Sequence, residues 1–365
     1  MDHHFNMPYS NMRTPVDEGT MKLTAYSHGA GCGCKIAPAV LDAILNGKEI
    51  PVADRNILVG YGTRDDAAVY DMGNGQALIS TTDFFSPIVD DAFDLGRIAA
   101  VNALSDVYAM GGKPLLAIAI LGWPVEKLPA ELAARVIDGG RRACADAGIT
   151  LAGGHSIDAP EPFFGLAVTG TVPVKNIKRN STAREGDLLL LTKPIGLGIM
   201  ATARKRGKLP PEHEEIATKI MCASNRVGTA LGAMEGVHAM TDVTGFGLLG
   251  HLIEMCEGSS LSAEIDGSAV PVIPETISHL EAGCYPDGTF RNWKSHAAKV
   301  KGADAMRTMM LMSDPQTSGG LLIAIDPQEA PSIIALLEKE ALCCATIGKC
   351  VPRRNGTVVE IISSM

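Results

Sequence analysis

The chain has 365 residues, of which 46% are hydrophobic and 20% charged, so it can build full cores for two domains of ordinary size. Its 32 basic and 41 acidic residues give a formal net charge of −9, which argues against sequence-independent nucleic-acid binding because that requires a basic surface. Glycine is enriched at 39 residues, whereas aromatic residues make up only 4%. This composition favours a backbone that approaches a charged ligand closely over rings that stack on bases.

Hydropathy and cysteine usage bear on the compartment. The longest apolar stretch, residues 115–121, has the length of a strand, so no transmembrane helix is expected. The N-terminus has no basic flank followed by an apolar core, and no signal peptide is expected. Nine cysteines are spread along the chain, an odd number that favours free thiols over a disulfide framework. We therefore expect a cytoplasmic protein without a membrane partner.

The first half of the chain predicts alternating helices and strands. Residues 1–22 are polar and aperiodic, which predicts a mobile tail. A glycine-rich loop follows the tail. After the loop we predict a short helix that begins near Pro38 and stops at Gly47. Hydrophobic patterning then predicts strands over residues 77–85, 115–121, 149–152 and 164–172, and helices over residues 93–110 and 128–147. This order predicts a sheet that is covered by helices.

A polar, charged segment at residues 174–187 marks the predicted domain boundary. Beyond it we predict strands over residues 188–192, 321–325, 345–347 and 358–362, helices over residues 199–206 and 213–234, and a turn-rich segment over residues 240–250 that leads into a helix ending near Cys256. The fold class is therefore α+β, with two domains of mixed sheet covered by helices. The predicted division is a tail and glycine-rich loop at 1–60, an N-terminal domain at 61–173 and a C-terminal domain at 184–365.

The densest motif is the loop at residues 28–35, HGAGCGCK. Its glycines allow almost any backbone path, and both a lysine and the start of a helix favour the thiolate form of a nearby cysteine. We therefore expect the pKa of Cys32 to be lowered for work as a nucleophile or ligand. Alternatives are a plain flexible loop, a redox pair of Cys32 and Cys34, or half of a zinc site. The zinc site would be completed by distant thiols: Cys343, Cys344 and Cys350.

Separated aspartates at the ends of predicted elements form a second pattern. Asp66, Asp83, Asp106 and Asp242 are hard oxygen ligands of the type that Mg²⁺ prefers. Each alone is also a common cap or turn residue. Asp106 is the least ordinary, because it lies in an otherwise apolar helix, four residues after Asn102 and on the same face.

Glycine motifs give weaker signals. Residues 153–156, GGHS, follow a predicted strand and are read as an anion-binding turn. Residues 314–320 form a similar polar turn to which no role is assigned. A P-loop is absent from the sequence. Residues 245–250 match G-x-G-x-x-G, but residues 240–244 are too polar for the buried parallel strand of a dinucleotide site, so none is expected.

Six of these segments together resemble the selenophosphate synthetase family of the aminoimidazole-ribonucleotide-synthetase (PurM-like) superfamily. They are residues 26–35, 63–70, 80–85, 153–158, 241–247 and 314–320. The aspartates are shared with the superfamily, whereas the GCGCK loop narrows the resemblance to the family. The resemblance implies conversion of ATP, selenide and water to selenophosphate, AMP and orthophosphate, which supplies selenium for selenocysteine and seleno-tRNA. It also implies two α/β domains, a homodimer that pairs through its N-terminal sheets, and a transient selenium-delivery protein as a further partner.

The resemblance also implies roles for individual residues. Cys32 is similar to the family's catalytic thiol and Lys35 to its essential lysine beside the phosphates. The Mg²⁺ ligands are then Asp66, Asp106 and Asp242, with more than one ion expected. Besides Lys35, the ATP-contacting positions are Thr63, Arg64, Asp65, Asp83, Asp106, Gly154, His155 and Ser156. Two alternatives stay open: another ATP-dependent kinase or ligase of the same superfamily, or a cysteine-based redox or metal-binding protein.

Overall fold

A computed structural model describes residues 21–36, 38–45, 54–60, 65–303 and 305–365. The predicted mobile tail lies almost entirely outside these residues, as do Gly47, Thr63 and Arg64. In the described part of the chain, no helix combines the length and the apolar character needed to cross a membrane.

The first half of the chain forms a six-stranded sheet in the order β1-β2-β3-β6-β4-β5. Its strands are β1 Ile57–Val59, β2 Ala68–Asp71, β3 Gln76–Phe85, β4 Lys113–Trp123, β5 Thr150–Asp158 and β6 Phe163–Pro173. All neighbours pair antiparallel except β4 and β5, which are parallel. The strand β5 therefore lies at one edge of the sheet.

Helices cover one face of this sheet. They are α2 Ala92–Ala109 and α3 Ala130–Asp146, preceded in the chain by α1 Pro38–Leu45. The two covering helices pack closely, since a Cβ at Gly96 would lie 1.8 Å from the Val136 carbonyl oxygen. Helix α2 is buried on nearly every side, which places its polar residues in the interior. The opposite face of the sheet leaves large apolar side chains exposed, among them Phe84 and Ile118.

The second half forms a seven-stranded sheet in the order β10-β13-β9-β12-β7-β11-β8. Its strands are β7 Leu188–Leu191, β8 Val237–Asp242, β9 Leu261–Asp266, β10 Val300–Lys301, β11 Leu321–Ile325, β12 Ala345–Pro352 and β13 Val359–Ser363. Its helices are α4 Leu197–Lys205, α5 Pro211–Cys222, α6 Val227–Gly232, α7 Gly247–Gly258, α8 Thr276–Glu281, α9 Asp287–His296, α10 Met306–Met312 and α11 Ala330–Lys339. The strand β11, which lies between β7 and the edge strand β8, is buried along its whole length.

The α+β class with two mixed sheets is confirmed. Three local predictions are wrong. The predicted turn at residues 153–156 continues β5, because that strand pairs with β4 as far as Asp158. The predicted helix over residues 213–234 is two helices, since Asn225 between them bonds to distant groups. The first residues of the predicted turn-rich segment at 240–250 form the last part of the strand β8, which pairs antiparallel with β11.

Candidate active site

Three aspartates converge where the two sheets meet. Asp66 lies just before β2, Asp106 lies in α2 and Asp242 is the last residue of β8. Each carboxylate offers an oxygen within 4.8 Å of the others. Among the described residues, this is the group of three or more acidic, histidine or cysteine side chains that could hold a metal ion.

Hydroxyl groups orient these carboxylates without saturating them. Thr241 Oγ1 donates to Asp66 Oδ1 at 2.8 Å, and Thr81 Oγ1 donates to Asp106 Oδ2 at 2.5 Å. Within the described chain, Oδ2 of Asp66 and Oδ2 of Asp242 are buried without a hydrogen-bond partner. Buried carboxylate oxygens that lack donors fit a hard divalent cation such as Mg²⁺.

Crowding of the three groups changes their protonation. Burial, and then the charge of Asp242, raises the pKa of Asp66 and of Asp106 well above the ordinary range. Burial likewise raises the pKa of Asp242 to about 6, although a hydrogen bond from Ser105 and the charge of Lys35 oppose this. The cluster therefore carries charge that the fold disfavours, and a cation would stabilise its ionised form.

Lys35 places a positive charge beside this cluster. Its Nζ lies 3.4 Å from Asp83 Oδ2. Burial works against the charged amine, but the carboxylates of Asp83, Asp106 and Asp242 outweigh it and raise the pKa of Lys35. The loop that carries Lys35 rests on Gly245, where a Cβ would lie 2.6 Å from the Cys32 carbonyl oxygen. Only glycine allows that approach.

Cys32 is buried, with 1% of its surface exposed. Its backbone N–H donates to Thr317 Oγ1 at 2.9 Å, and its thiol contacts Asn102 Oδ1 at 3.5 Å. Burial and the neighbouring Asp83 raise the pKa of the thiol, and Lys35 lowers it by less. The expected lowering of this pKa is therefore wrong: the burial of the sulfur outweighs the nearby cation.

Asn102 connects the parts of the site, a role that its sequence position alone does not predict. Its Nδ2 donates to Asp83 Oδ2 at 2.6 Å, and its Oδ1 accepts from Ser318 N at 2.8 Å. The turn at residues 314–320 thus holds the Cys32 loop through Thr317 and holds Asn102 through Ser318. The available signal was the spacing of Asn102 and Asp106 on one face of an apolar helix.

The remaining predicted ATP contacts lie elsewhere in the site region. Asp65 Oδ1 accepts the backbone N–H of Asn180 at 2.8 Å. Gly154, His155 and Ser156 are exposed on the edge strand β5. Strand pairing aligns Gly154 with Asp83 across the sheet, three strands away, which corresponds to a distance of about 14 Å. Their contact with ATP stays a prediction.

Comparison with known proteins places the chain in a family. Models of the AIR synthase related protein match it over residues 64–172 for the N-terminal domain and 184–361 for the C-terminal domain. The selenide, water dikinase of Aeromonas salmonicida (strain A449) is 56% identical over 343 residues, which covers 94% of this chain and 99% of the relative. That of Escherichia coli (strain K12) is 54% identical over 347 residues, covering 95% and 100%. The chain belongs to the selenide, water dikinases.

Solved structures show that the chain shares its fold with more distant proteins. Hydrogenase maturation protein HypE in complex with ATP aligns with a TM-score of 0.61 at 22% identity, covering 94% of this chain and 95% of that one. Thiamine-monophosphate kinase from Stenotrophomonas maltophilia K279a gives a TM-score of 0.61 at 21% identity, covering 84% and 92%. At these identities the likeness establishes the two-domain fold.

Membership of the dikinase family decides between the sequence-based alternatives. It does not favour another kinase or ligase of the superfamily, because the high identity extends over nearly the whole chain. The zinc alternative also finds no support in the described residues, since the cluster that could hold a metal consists of aspartates. Cys350, for example, is buried at the end of β12, in the core of the second sheet.

Proposed function

We propose that Asp66, Asp106 and Asp242 bind Mg²⁺ in this chain, and that Lys35 and Cys32 act beside them in the synthesis of selenophosphate. The chain is a kinase-type enzyme with ATP as phosphoryl donor and selenide and water as acceptors. The observation that carries the residue assignment is the set of three carboxylates with oxygens within 4.8 Å, two of which keep a buried oxygen free of hydrogen bonds within the described structure.

The electrostatics of the site support this assignment. Three carboxylates alone would repel the phosphates of ATP. Bound Mg²⁺ supplies charge that neutralises carboxylate and phosphate together. HypE, which shares the fold, is described in complex with ATP. We place the phosphates of ATP against the aspartate cluster, where the hydroxyls of Thr81 and Thr241 hold two of the carboxylates in place. More than one Mg²⁺ remains our expectation, given the further carboxylate of Asp83.

Lys35 supplies a cation beside this phosphate position in our assignment, because its amine lies among the carboxylates of Asp83, Asp106 and Asp242. The pairing of its amine with Asp83 fixes the ammonium group at 3.4 Å from that carboxylate. A fixed cation stabilises negative charge that develops on a phosphoryl group during transfer, because it needs no reorganisation at that moment. We therefore assign to Lys35 the stabilisation of the transferred group.

Cys32 is held as a neutral thiol. A buried S–H is a donor and a soft, polarisable group, suited to orient selenide next to the phosphoryl group. The burial of Cys32 also keeps water away from that point, and the transfer requires this because selenide must react before water does. We propose that Cys32 positions selenide rather than attacking phosphorus itself.

The exposed sheet face supports the homodimer. Phe84, Leu116 and Ile118 are 49%, 41% and 44% exposed on strands β3 and β4. An apolar patch of this kind on a regular sheet is typical of a subunit interface. We propose that two copies of the chain pair through this face.

One incubation tests the proposed function. The purified protein is mixed with ATP, Mg²⁺ and selenide under anaerobic, reducing conditions, and its products are identified by phosphorus NMR and nucleotide chromatography. We expect selenophosphate, AMP and orthophosphate, with AMP formed only when selenide is present. Formation of ADP alone would indicate an ordinary kinase, and the absence of turnover would overturn the proposal. Asp242→Asn serves as the inactive control.

A further inference from the structure

A cavity lies against the loop that carries Cys32. It has a volume of about 610 Å³. Gly29, Gly33 and Lys35 of the loop form one wall, and residues of α4 and of the segment 285–291 form the other. The aspartates of the metal cluster are not among the described residues that line it. The loop therefore lies between the aspartate cluster and this cavity.

The charge of the cavity is opposite to that of the aspartate cluster. Four cationic side chains contribute to its lining, and the carboxylate of Asp287 is the acid among the described lining residues. The four cations are Lys35, Lys205, Arg206 and Arg291. A concave surface lined by one sign of charge concentrates small ions of the other sign. The cavity is thus suited to a small anion.

The cavity reaches to within one side chain of Cys32. Ile88 and Thr317 line it, and the same two side chains contact the backbone around the cysteine. Thr317 Oγ1 accepts the Cys32 backbone N–H at 2.9 Å, and a Cβ at Gly31 would lie 2.4 Å from Thr317 Oγ1 and 2.5 Å from Ile88 Cδ1. Ile88 and Thr317 therefore lie both on the cavity wall and against the backbone that carries the thiol.

We propose that this basic cavity is the entrance through which the selenide anion reaches Cys32. The proposal rests on the proposed function, and it adds a separate route for one of the two substrates. Hydrogen selenide is a monoanion at neutral pH, so an approach from the aspartate side would meet carboxylates and the phosphates of ATP. An approach through the cavity meets cations instead, and it ends beside the thiol.

The cavity cations also hold the loop, and this determines how the proposal is tested. Lys205 Nζ donates to the carbonyl oxygens of Ser27 at 2.7 Å and Gly29 at 3.1 Å, and Arg291 donates to that of Gly33 at 3.0 Å. Removing either cation would move the loop as well as change the charge. A negative charge is therefore better added to the cavity wall at a residue whose side chain makes no hydrogen bond to the described residues of the loop.

Thr202 on α4 meets this requirement. It lines the cavity, and its hydroxyl bonds within its own helix to the Gly198 carbonyl oxygen at 2.9 Å. We expect Thr202→Asp to raise KM for selenide by about tenfold while KM for ATP stays within twofold. The neutral isostere Thr202→Asn separates charge from shape. Thr218→Asp adds the same charge to α5, outside the residues that line the cavity.

Salt provides a second readout. Because exposed charges are screened over about 10 Å at 0.1 M ionic strength, the difference in selenide KM between Thr202→Asp and Thr202→Asn should shrink as salt rises. Val40 also lines the cavity, so Val40→Glu against Val40→Gln repeats the comparison from α1 should the Thr202 variants fail to fold. If the wild-type enzyme is active and the aspartate and asparagine variants have the same KM for selenide, the entrance proposal is overturned and the proposed function stands. A wild-type enzyme without selenide-dependent AMP formation would overturn the proposed function as well.

Discussion

Thr241 Oγ1 donates a hydrogen bond to Asp66 Oδ1 at 2.8 Å, and this contact joins the two sheets at the candidate metal site. Asp66 belongs to the first sheet region, whereas Thr241 lies in β8 at the edge of the second. The next residue, Asp242, brings its carboxylate to the same point. A cation bound here would therefore connect both halves of the chain, and its binding should be measurable as stability.

Asp242→Asn should uncouple stability from activity. The substitution removes one of three crowded charges, so the metal-free variant should be more stable than the wild type by on the order of 1 kcal/mol. Its selenide-dependent turnover should fall by about 10²- to 10³-fold because a ligand is lost. Thermal unfolding with and without Mg²⁺ checks this. A variant that keeps the full Mg²⁺-dependent rise in Tm would contradict the assignment of Asp242 as a ligand.

The same carboxyl predicts a pH dependence of the metal-free protein. Burial raises the pKa of Asp242 from 3.8 to about 6, so the folded state binds a proton more tightly than the unfolded state does. Its contribution to stability is full below pH 3.8 and is lost as pH rises through about 6. The free energy of unfolding of the wild type minus that of Asp242→Asn, measured in chelator from pH 4 to 7, should fall across this window. A flat or rising difference would show that the pKa is not raised.

Lys35→Met should abolish most of the phosphoryl transfer while the fold is kept. The side chain loses its charge but keeps its length, so the loss reports on charge stabilisation next to Asp83. We expect turnover to fall by about 10²- to 10³-fold, with a smaller change in KM for ATP. Lys35→Arg, which retains a cation in a different shape, should recover part of the activity. Near-normal turnover of Lys35→Met would remove this residue from the mechanism.

Cys32 should behave as a buried neutral thiol. Because burial raises its pKa, we expect iodoacetamide to label it at pH 8 at least about tenfold more slowly than a free thiol of ordinary pKa, as followed by peptide mass spectrometry. Cys32→Ser keeps the size and a donor but removes the soft sulfur, so selenophosphate formation from free selenide should fall. Rapid labelling would contradict the neutral thiol, and a normal rate for Cys32→Ser would make the sulfur dispensable.

Patterns within single elements could be predicted from the sequence. The apolar pattern of residues 93–110 predicts the α2 helix, and Asp106 stands out in it as a single carboxylate. The structure brings that carboxylate to the cluster with Asp66 and Asp242. The β5 strand beyond residue 152 cannot be predicted from its own residues, because an exposed edge strand of small and polar residues shows no alternation. Its pairing with β4 is what makes it a strand.

Contacts between distant parts of the chain could not be predicted. The break between α5 and α6 depends on Asn225, whose Nδ2 donates to Ser105 Oγ and to the Gly319 carbonyl oxygen. The burial of Cys32 depends in the same way on Thr317, 285 residues later in the chain. The local sequence indicates a reactive thiolate because it shows a lysine three residues after Cys32, but it does not show the residues that enclose the sulfur.

A charge placed on the exposed sheet face should separate the proposed dimer. Ile118→Asp puts a carboxylate at the centre of the apolar face formed with Phe84 and Leu116, where pairing would bury it without a partner. We expect a dimer for the wild type and a monomer for the variant in sedimentation velocity. Ile362→Asp makes the same change on β13 of the other sheet, where the isoleucine is also exposed, and should stay dimeric. A wild-type chain that sediments as a monomer at micromolar concentration, or an Ile118→Asp variant that remains dimeric, would contradict pairing through this face.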